Sequence, residues 1–331
     1  MLLPTSYGAA LLTLALAALF WSTWANLQRA DRKWRFELFA FDFALGGIVC
    51  ALLLALTVGN AGSTNNFTFD ETLTVASKRN MATAFAGGAI YCIGNMMVFA
   101  AIVLAGMSTA LPVAAGMGLL LVTLLSGNPD NAALHYGGAG TLLAALAAAA
   151  MAQKTAAAET PAKTGMHPGW KGFILACVGG AIIGIALPLV ESSRGGEIGV
   201  GAYGASVFMA FGLLAMTPLV NVYFLNLPVQ GEALPLKAFL KGTKKQHLMG
   251  FLGGALWAGG TVAFFVSAGG AFPGAPKFLA MEAAVQGGAV AGAICGLTLW
   301  GEQAGAPKAK LMLMGAMALL AGGAAMVFAG G

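Results

Sequence analysis

Long hydrophobic stretches separated by short polar segments make up most of the chain. Apolar runs of about twenty residues, enough for a helix to cross about 30 Å of hydrocarbon, occur ten times. They cover residues 6–25, 38–58, 81–105, 107–126, 134–152, 170–190, 201–225, 247–267, 278–300 and 309–329. Little more than Gly106 separates the third run from the fourth. The pattern predicts ten transmembrane helices, with a tight antiparallel hairpin at this glycine.

One motif inside these runs occurs twice. The sequence GGAIYCIGN at residues 87–95 returns 166 residues later as GGALWAGGT at residues 253–261. In each copy an aromatic residue precedes a hydrogen-bonding residue by four positions, which places both on one helix face. The same offset relates Gly46 to Gly212. A chain that repeats itself once in membrane-type segments is typical of a transporter built from two related halves.

Positive charges are concentrated in alternate loops. The loops after the odd-numbered helices hold 13 of the 17 Lys and Arg residues, whereas Lys78 and Arg79 follow an even-numbered helix. By the positive-inside rule, the first set of loops is cytoplasmic and both termini face outward. With five helices in each half, the second half enters the membrane with the opposite topology. We therefore predict an all-α membrane protein of two inverted five-helix repeats, residues 1–152 and 170–331, joined by a cytoplasmic linker at 153–169.

The composition excludes a soluble domain. Hydrophobic residues make up 59% of the chain, and charged residues make up 9%, against roughly 25% in soluble proteins. The mean hydropathy is +0.82. These values predict an integral membrane protein, which we expect in the inner (cell) membrane of a bacterium. The formal charge of +5 lies in the loops, so nucleic acid is not an expected partner.

Residue types that carry enzyme chemistry are not grouped in this sequence. The motifs GxxxxGK[ST], HExxH and GxSxG are absent. The histidines lie at predicted helix ends or in the linker, and the cysteines are isolated in apolar runs, as expected of small buried side chains: they are His135, His167, His247, Cys50, Cys92, Cys177 and Cys295. We therefore predict neither an enzyme nor a bound metal or cofactor.

Of the acidic residues in or beside the predicted spans, Glu302 could pair with a loop lysine, and four others stand out: Glu37, Asp42, Glu191 and Glu282. A charged side chain at a helix centre costs roughly 2.5–3.5 kcal/mol on insertion scales, so each requires a partner or a function. We consider all four to be candidates for proton coupling. An ion pair with the neighbouring Arg35 is the structural alternative for Glu37.

The repeated motif also supplies candidates for substrate binding. Tyr91 and Trp257 are predicted to form two walls of a central cavity, with Asn95 and Thr261 on the same helix faces. A buried amide must find a partner, whereas a threonine can bond its own helix backbone, so Thr261 alone means little. Gln286 lies four residues after one of the acidic candidates. Aromatic walls with amide groups suit a flat, neutral, hydrogen-bonding solute.

Three prolines lie inside predicted spans: Pro112, Pro188 and Pro218. Each leaves backbone carbonyls without their usual donor. They are candidate hinges for alternating access, and kinked structural helices are the alternative.

Several short motifs follow one another in a characteristic order. They are WSTWAN at 21–26, RFELFAFD at 35–42, residues 87–101 followed by AGMSTALPVAAGMG at 105–118, LPLV at 187–190, YGA at 203–205 and LWGE at 299–302. Together they resemble the ureide permease and glucose/ribose porter branch of the drug/metabolite transporter superfamily. Plant ureide permeases are similar in having a long central loop with a nucleotide-binding-like motif, but the loop of this chain is short and lacks it.

The resemblance implies a ten-helix carrier in which helices one to four and six to nine surround the cavity. It implies import of a small polar solute coupled to protons, with ureides and nucleobases in one branch and sugars in the other. It also adds Trp24 and Asn26 of the first motif to the substrate-binding candidates.

The leading prediction is a proton-coupled importer of a ureide or nucleobase. A sugar porter and a metabolite or drug exporter are the alternatives among transporters, while a passive channel or a membrane sensor is the alternative outside them. The expected partners are a small-molecule substrate, protons and the lipid bilayer. The oligomeric state is left open.

Overall fold

The computed structural model is all-helical over the residues that it describes, which are 1–31, 33–61, 67–127, 129–160, 166–269, 272 and 275–331. Ten helical spans in this part of the chain are long and apolar enough to cross a membrane, which confirms the ten predicted spans. Single helices form nine of them: α1 (Tyr7–Ala30), α2 (Phe36–Thr57), α4 (Lys78–Ala105), α5 (Met107–Leu125), α6 (Ala132–Glu159), α7 (Pro168–Ser192), α8 (Gly201–Asn226), α9 (Lys244–Ser267) and α12 (Pro307–Gly330). The remaining span consists of α10 (Phe278–Gly287) and α11 (Ala289–Thr298). Two shorter elements lie outside the spans, α3 (Phe69–Val75) and a 3₁₀ turn (Leu236–Lys241).

Helix boundaries agree with the sequence pattern in one place and differ in two. Gly106 ends one span and precedes the next with φ of 82°, a conformation that favours glycine. Helix α6 continues to Glu159, so the first residues of the predicted linker are helical. The ninth span is interrupted at Gly288. Of the predicted linker, residues 161–165 lie outside the described part of the chain.

The described chain forms two compact units. The first unit comprises residues 1–93 and 186–281, and the second comprises residues 94–185 and 282–331. The division of the chain into repeats at residues 152 and 170 remains a prediction.

Helices α2 and α9 pack closely in the first unit. A Cβ atom added to Gly46 would overlap the backbone carbonyl of Phe251, and one added to Gly254 would overlap the carbonyl of Phe43. Small residues allow helix backbones to approach in this way, and such packing stabilises helix pairs in a bilayer. We call this region the α2–α9 contact.

Helices α4 and α8 approach each other in the same manner, also within the first unit. A Cβ atom at Gly212 would overlap the carbonyl of Phe85, and one at Gly88 would overlap the carbonyl of Met209. Each of these four residues lies 166 positions from its counterpart in the α2–α9 contact. We call this region the α4–α8 contact.

The second unit is built around α5, α6, α11 and α12, with α6 packed along α12 and α5 against α11. The side chain of Glu302 accepts hydrogen bonds from the backbone N–H groups of Met107 and Ser108, at 3.1 and 2.8 Å. A carboxylate at this position satisfies donors that the first turn of α5 leaves free and opposes the positive end of its dipole.

Candidate functional site

The two aromatic residues of the repeated motif contact each other in the first unit. Trp257 Nε1 donates a hydrogen bond to the hydroxyl of Tyr91 at 2.9 Å, and the ring centroids lie 5.4 Å apart. Trp257 is fully buried and Tyr91 is 6% exposed. Tyr91 and Trp257 occupy the same position in the two copies of the motif, so equivalent residues of the two copies contact each other. The rings touch directly in this conformation and do not face each other across an open cavity.

A wider aromatic cluster surrounds this pair. The ring of Phe43 lies 5.8 Å from that of Trp257 and 5.5 Å from that of Trp24. Trp24 is buried, so one of the two candidates from the first motif belongs to the same cluster. The other, Asn26, is half-buried, and its side-chain amide donates to the backbone oxygen of Thr23 at 3.2 Å. We call Trp24, Phe43, Tyr91 and Trp257 the aromatic cluster.

Thr261 is buried one turn after the tryptophan of its motif. Its hydroxyl donates to the backbone oxygen of Trp257 at 2.9 Å, which is the local bond that the sequence suggested. The same hydroxyl oxygen lies 3.3 Å from Nε1 of Trp21, which also donates to the backbone oxygen of Trp257 at 3.1 Å. Trp21 therefore contributes to this site, although the sequence analysis selected only its neighbour three residues later.

Two substrate-binding candidates lie in the second unit. Asn95 is 4% exposed. Gln286 is half-buried, and its side-chain amide donates to a carboxylate oxygen of Glu282 at 3.0 Å. Glu282 is 1% exposed and lies in α10, near the point where the ninth span is interrupted. The predicted pairing of these two side chains on one helix face is present.

Asp42 lies in the first unit beside a residue that the sequence analysis did not select. Both of its carboxylate oxygens are 3.0 Å from Nδ1 of His247. The Asp42 side chain is 7% exposed and that of His247 is 31% exposed. The imidazole ring packs edge-on against the rings of Trp34 and Phe239, at centroid distances of 5.1 and 4.7 Å. This polar pair therefore lies in a mainly aromatic environment.

The other two acidic candidates are held by arginines. The Glu37 side chain is buried and paired with Arg35, whose Nε lies 3.2 Å from the carboxylate. The half-exposed Glu191 pairs with Arg194 at 2.6 Å. Arg194 also donates to the backbone oxygen of Phe265 at 2.7 Å. Both pairs are local in sequence, and the ion pair with Arg35 is the structural alternative that the sequence offered for Glu37.

A cavity of about 550 Å³ lies in the first unit beside Glu191 and Arg194. Its walls also include Thr72 of α3 and the loop around residues 195–201. Glu191 is the one predicted site residue among its described lining residues.

The prolines lie within helices that continue past them. Pro112 is inside α5, Pro188 inside α7 and Pro218 inside α8. Asn221, one turn after the last of these, donates from its side chain to the backbone oxygen of Glu37 at 2.6 Å and so ties α8 to α2. In the described spans, the helix interruption lies at Gly288 instead.

The all-helical fold and its ten apolar spans define the class, an integral membrane protein. Residues 39–169 match the model of a family described as ureide permease. One solved crystal structure aligns with 95% of this chain and 96% of its own, at 17% identity and a TM-score of 0.54. At this identity the likeness shows a shared fold alone. The comparison with curated proteins gives no match.

Proposed function

We propose that this chain is a proton-coupled secondary transporter that imports a ureide or nucleobase. The permease match and the membrane-helical fold suggest a transporter rather than an enzyme. The family description adds ureide-type metabolites as the substrate class. Drug or metabolite export and passive conduction have no comparable support among these observations.

The direct contact between Tyr91 and Trp257 carries this proposal. Transporters with inverted repeats bind substrate at the interface of their halves, near the centre of the membrane. A pair of equivalent residues in contact lies on the local symmetry axis of such a structure. The indole of Trp257 and the phenol of Tyr91 offer flat faces together with polar atoms. Such groups suit a planar solute rich in N–H and C=O groups.

The inversion of the repeats is supported within the first unit. Helix α4 begins beside the loop at residues 193–200, where the Asn80 side chain donates to the backbone oxygen of Ile198 at 2.9 Å. The equivalent helix, α9, ends beside the same loop, where Arg194 bonds Phe265. Equivalent helices that begin at opposite ends have opposite directions. We propose alternating access with Tyr91 and Trp257 separating to admit the substrate, and with Trp24, Asn26 and Thr261 of the same unit as further contacts.

Uptake into proteoliposomes tests this function. Allantoin, uracil and xanthine should show saturable uptake that depends on an inward proton gradient. Trp257→Phe keeps a ring in the cluster but removes the donor to Tyr91, so it should reduce uptake while the protein still inserts. Trp170→Phe is the matched control, because this half-buried tryptophan lies at the start of α7 beside Phe173.

The same assay decides between the alternatives. Saturable uptake of hexoses or pentoses in place of the planar compounds would identify a sugar porter. Flux without saturation or counterflow would identify a channel. No uptake and no ligand-induced thermal shift with the planar panel would refute the proposed substrate class.

A further inference from the structure

We propose that Asp42 and His247 form one shared proton-binding site that controls the α2–α9 contact. The inference rests on the proposed proton-coupled transport and assigns the proton to named atoms. It begins from the geometry: both Asp42 oxygens face a single ring nitrogen, Nδ1 of His247, at 3.0 Å. An ionised carboxylate only accepts hydrogen bonds, so Nδ1 carries a proton and Nε2 is the atom that gains or loses one.

The route for this proton follows from the exposure of the two side chains. Asp42 is almost completely covered, whereas nearly a third of the His247 side chain is exposed. Gly242 packs closely against the other ring nitrogen, since a Cβ atom there would lie 2.5 Å from Nε2. A proton from solvent therefore reaches the pair at the histidine. The carboxylate is covered and has little direct contact with bulk solvent.

The charge balance gives the pair two distinct states. With a neutral imidazole the pair carries one negative charge, and with an imidazolium it carries none. An uncompensated charge in an apolar site is costly, whereas a bonded ion pair recovers much of that cost. Proton uptake at Nε2 therefore stabilises the closed arrangement, and proton loss favours entry of water between α2 and α9.

The two helices also approach each other closely at the polar pair. A Cβ atom at Gly250, one turn after the histidine, would lie 2.5 Å from Cβ of Asp42. The backbones of the two helices are thus held at the polar pair, and separation there would expose the carboxylate. This links the charge of the pair to the opening of one end of the first unit.

The elements next to the pair carry further charged residues. They are Arg29 and Asp31 at the end of α1, Arg35 and Glu37 at the start of α2, Lys237 and Lys241 of the 3₁₀ turn, and Lys244 and Lys245 of α9, while α8 contributes the neutral Asn221. Glu37 is paired with Arg35, and Asp31 accepts from Gln246 at 3.1 Å. The four lysines are exposed.

Nitrogen NMR of the purified full-length protein with labelled histidine tests the pair without any transport. We expect Nδ1 of His247 to carry a proton in both charge states of the pair, so that proton binding changes the signal of Nε2. Asp42→Asn should displace the midpoint of His247 by about one pH unit or more, because it removes the adjacent charge. The midpoint of His167, which lies outside the spans beside Thr160, should not change. A neutral His247 protonated at Nε2 only, or a midpoint unaffected by Asp42→Asn, would overturn the shared site.

Transport by His247→Asn provides the second test. Asparagine retains an N–H donor near Asp42 but cannot gain a proton. Gradient-driven accumulation should be lost, while exchange of substrate across the membrane at equal pH is retained, and His167→Asn should behave as wild type. Accumulation by His247→Asn would refute the inference and leave the proposed function intact. If the wild type shows no proton-driven uptake, the proposed function fails, and the NMR titration still decides whether the pair binds a shared proton.

Discussion

The α2–α9 contact and the α4–α8 contact are similar in shape and different in chemistry. Both bring a glycine from each helix against a carbonyl of the other, and the four contacting residues correspond at an offset of 166. The helices that carry the repeated motif also begin alike. The Ser77 hydroxyl accepts from the backbone N–H of Asn80, and the Thr243 hydroxyl accepts from that of Gln246. Duplicated backbone packing is therefore retained in both places.

The polar pair occurs at one of the two contacts. The positions equivalent to Asp42 and His247 hold Phe208 and Met81. Gly250, which makes room for the carboxylate, corresponds to the buried Ala84. Packing is conserved because close helix approach tolerates no added atoms, whereas a side chain on the rim of the contact can change its chemistry freely. The proposed proton site therefore belongs to one of the two contacts.

The largest effect is expected where the two contacts meet. Trp257→Ala removes the ring shared by Tyr91 and Phe43, and the loss of a fully buried aromatic costs about 3–5 kcal/mol of unfolding free energy. Thermal unfolding in detergent measures the change. Trp170→Ala, at a half-buried position, should cost clearly less. Equal losses at the two sites would mean that the aromatic cluster does not join the contacts.

The next largest effect tests whether the two contacts are equivalent. Gly254→Ala and Gly88→Ala each force a methyl group against a backbone carbonyl, and overpacking of this kind costs about 1–3 kcal/mol. The two losses should be similar, as judged by unfolding midpoints. Gly8→Ala in α1 is the control, since open space surrounds that position; it should be neutral or stabilise the helix by about 0.5–1 kcal/mol. Sensitivity in only one of the two contacts would contradict their equivalence.

A smaller effect separates chemistry from packing. Ala84→Gly places in the α4–α8 contact the glycine that Gly250 supplies beside Asp42 in the α2–α9 contact. It should lower the free energy of unfolding by about 0.5–1 kcal/mol through helix propensity. Its pH dependence of unfolding should match that of the wild type, because Phe208 and Met81, the positions equivalent to the polar pair, do not ionise. Gly250→Ala should alter that pH dependence by displacing Asp42. An altered pH profile in Ala84→Gly would show that the polar pair is not the source of the difference.

The smallest effect comes from a residue outside both contacts. Hydrogen bonds from the backbone N–H and the side chain of Thr68 lower the pKa of Glu71 below its ordinary value of 4.5. A lowered folded-state pKa means that stability is present above pH 4.5 and is lost as the pH falls below it. Glu71→Gln should remove this acid-range slope, seen in unfolding midpoints between about pH 3 and 5, and leave the response near neutrality. An acid-range slope that persists in Glu71→Gln would contradict this prediction.

Much of the fold could be predicted because its physical cause is local. A span needs enough apolar residues to cross the bilayer, and that property is visible in any stretch of about twenty residues. The helix boundary at Gly106 and the local bond of Thr261 were also predictable, since both depend on neighbouring residues. The equivalence of Tyr91 and Trp257 followed from the repeat offset.

The missed features depend on how helices are oriented. Trp21 and Trp24 are nearly equivalent in sequence, and packing against α9 decides that Trp21 bonds near Thr261 while Trp24 contacts Phe43. His247 was considered only as a metal ligand, because its partner Asp42 lies 205 residues away. The break at Gly288 was missed for a similar reason, as prolines are the stronger local sign of a helix interruption.

The sequence by itself determined the membrane class, the number of spans, the repeated motif and the list of polar residues that a bilayer makes costly. These follow from composition and periodicity, which act over one helix at a time. Only the tertiary structure decided which of those polar residues meet. It paired Asp42 with His247 at one of two similarly packed contacts, because side-chain partners across helices are selected by backbone approach and helix rotation, and neither is encoded in the pattern of a single span.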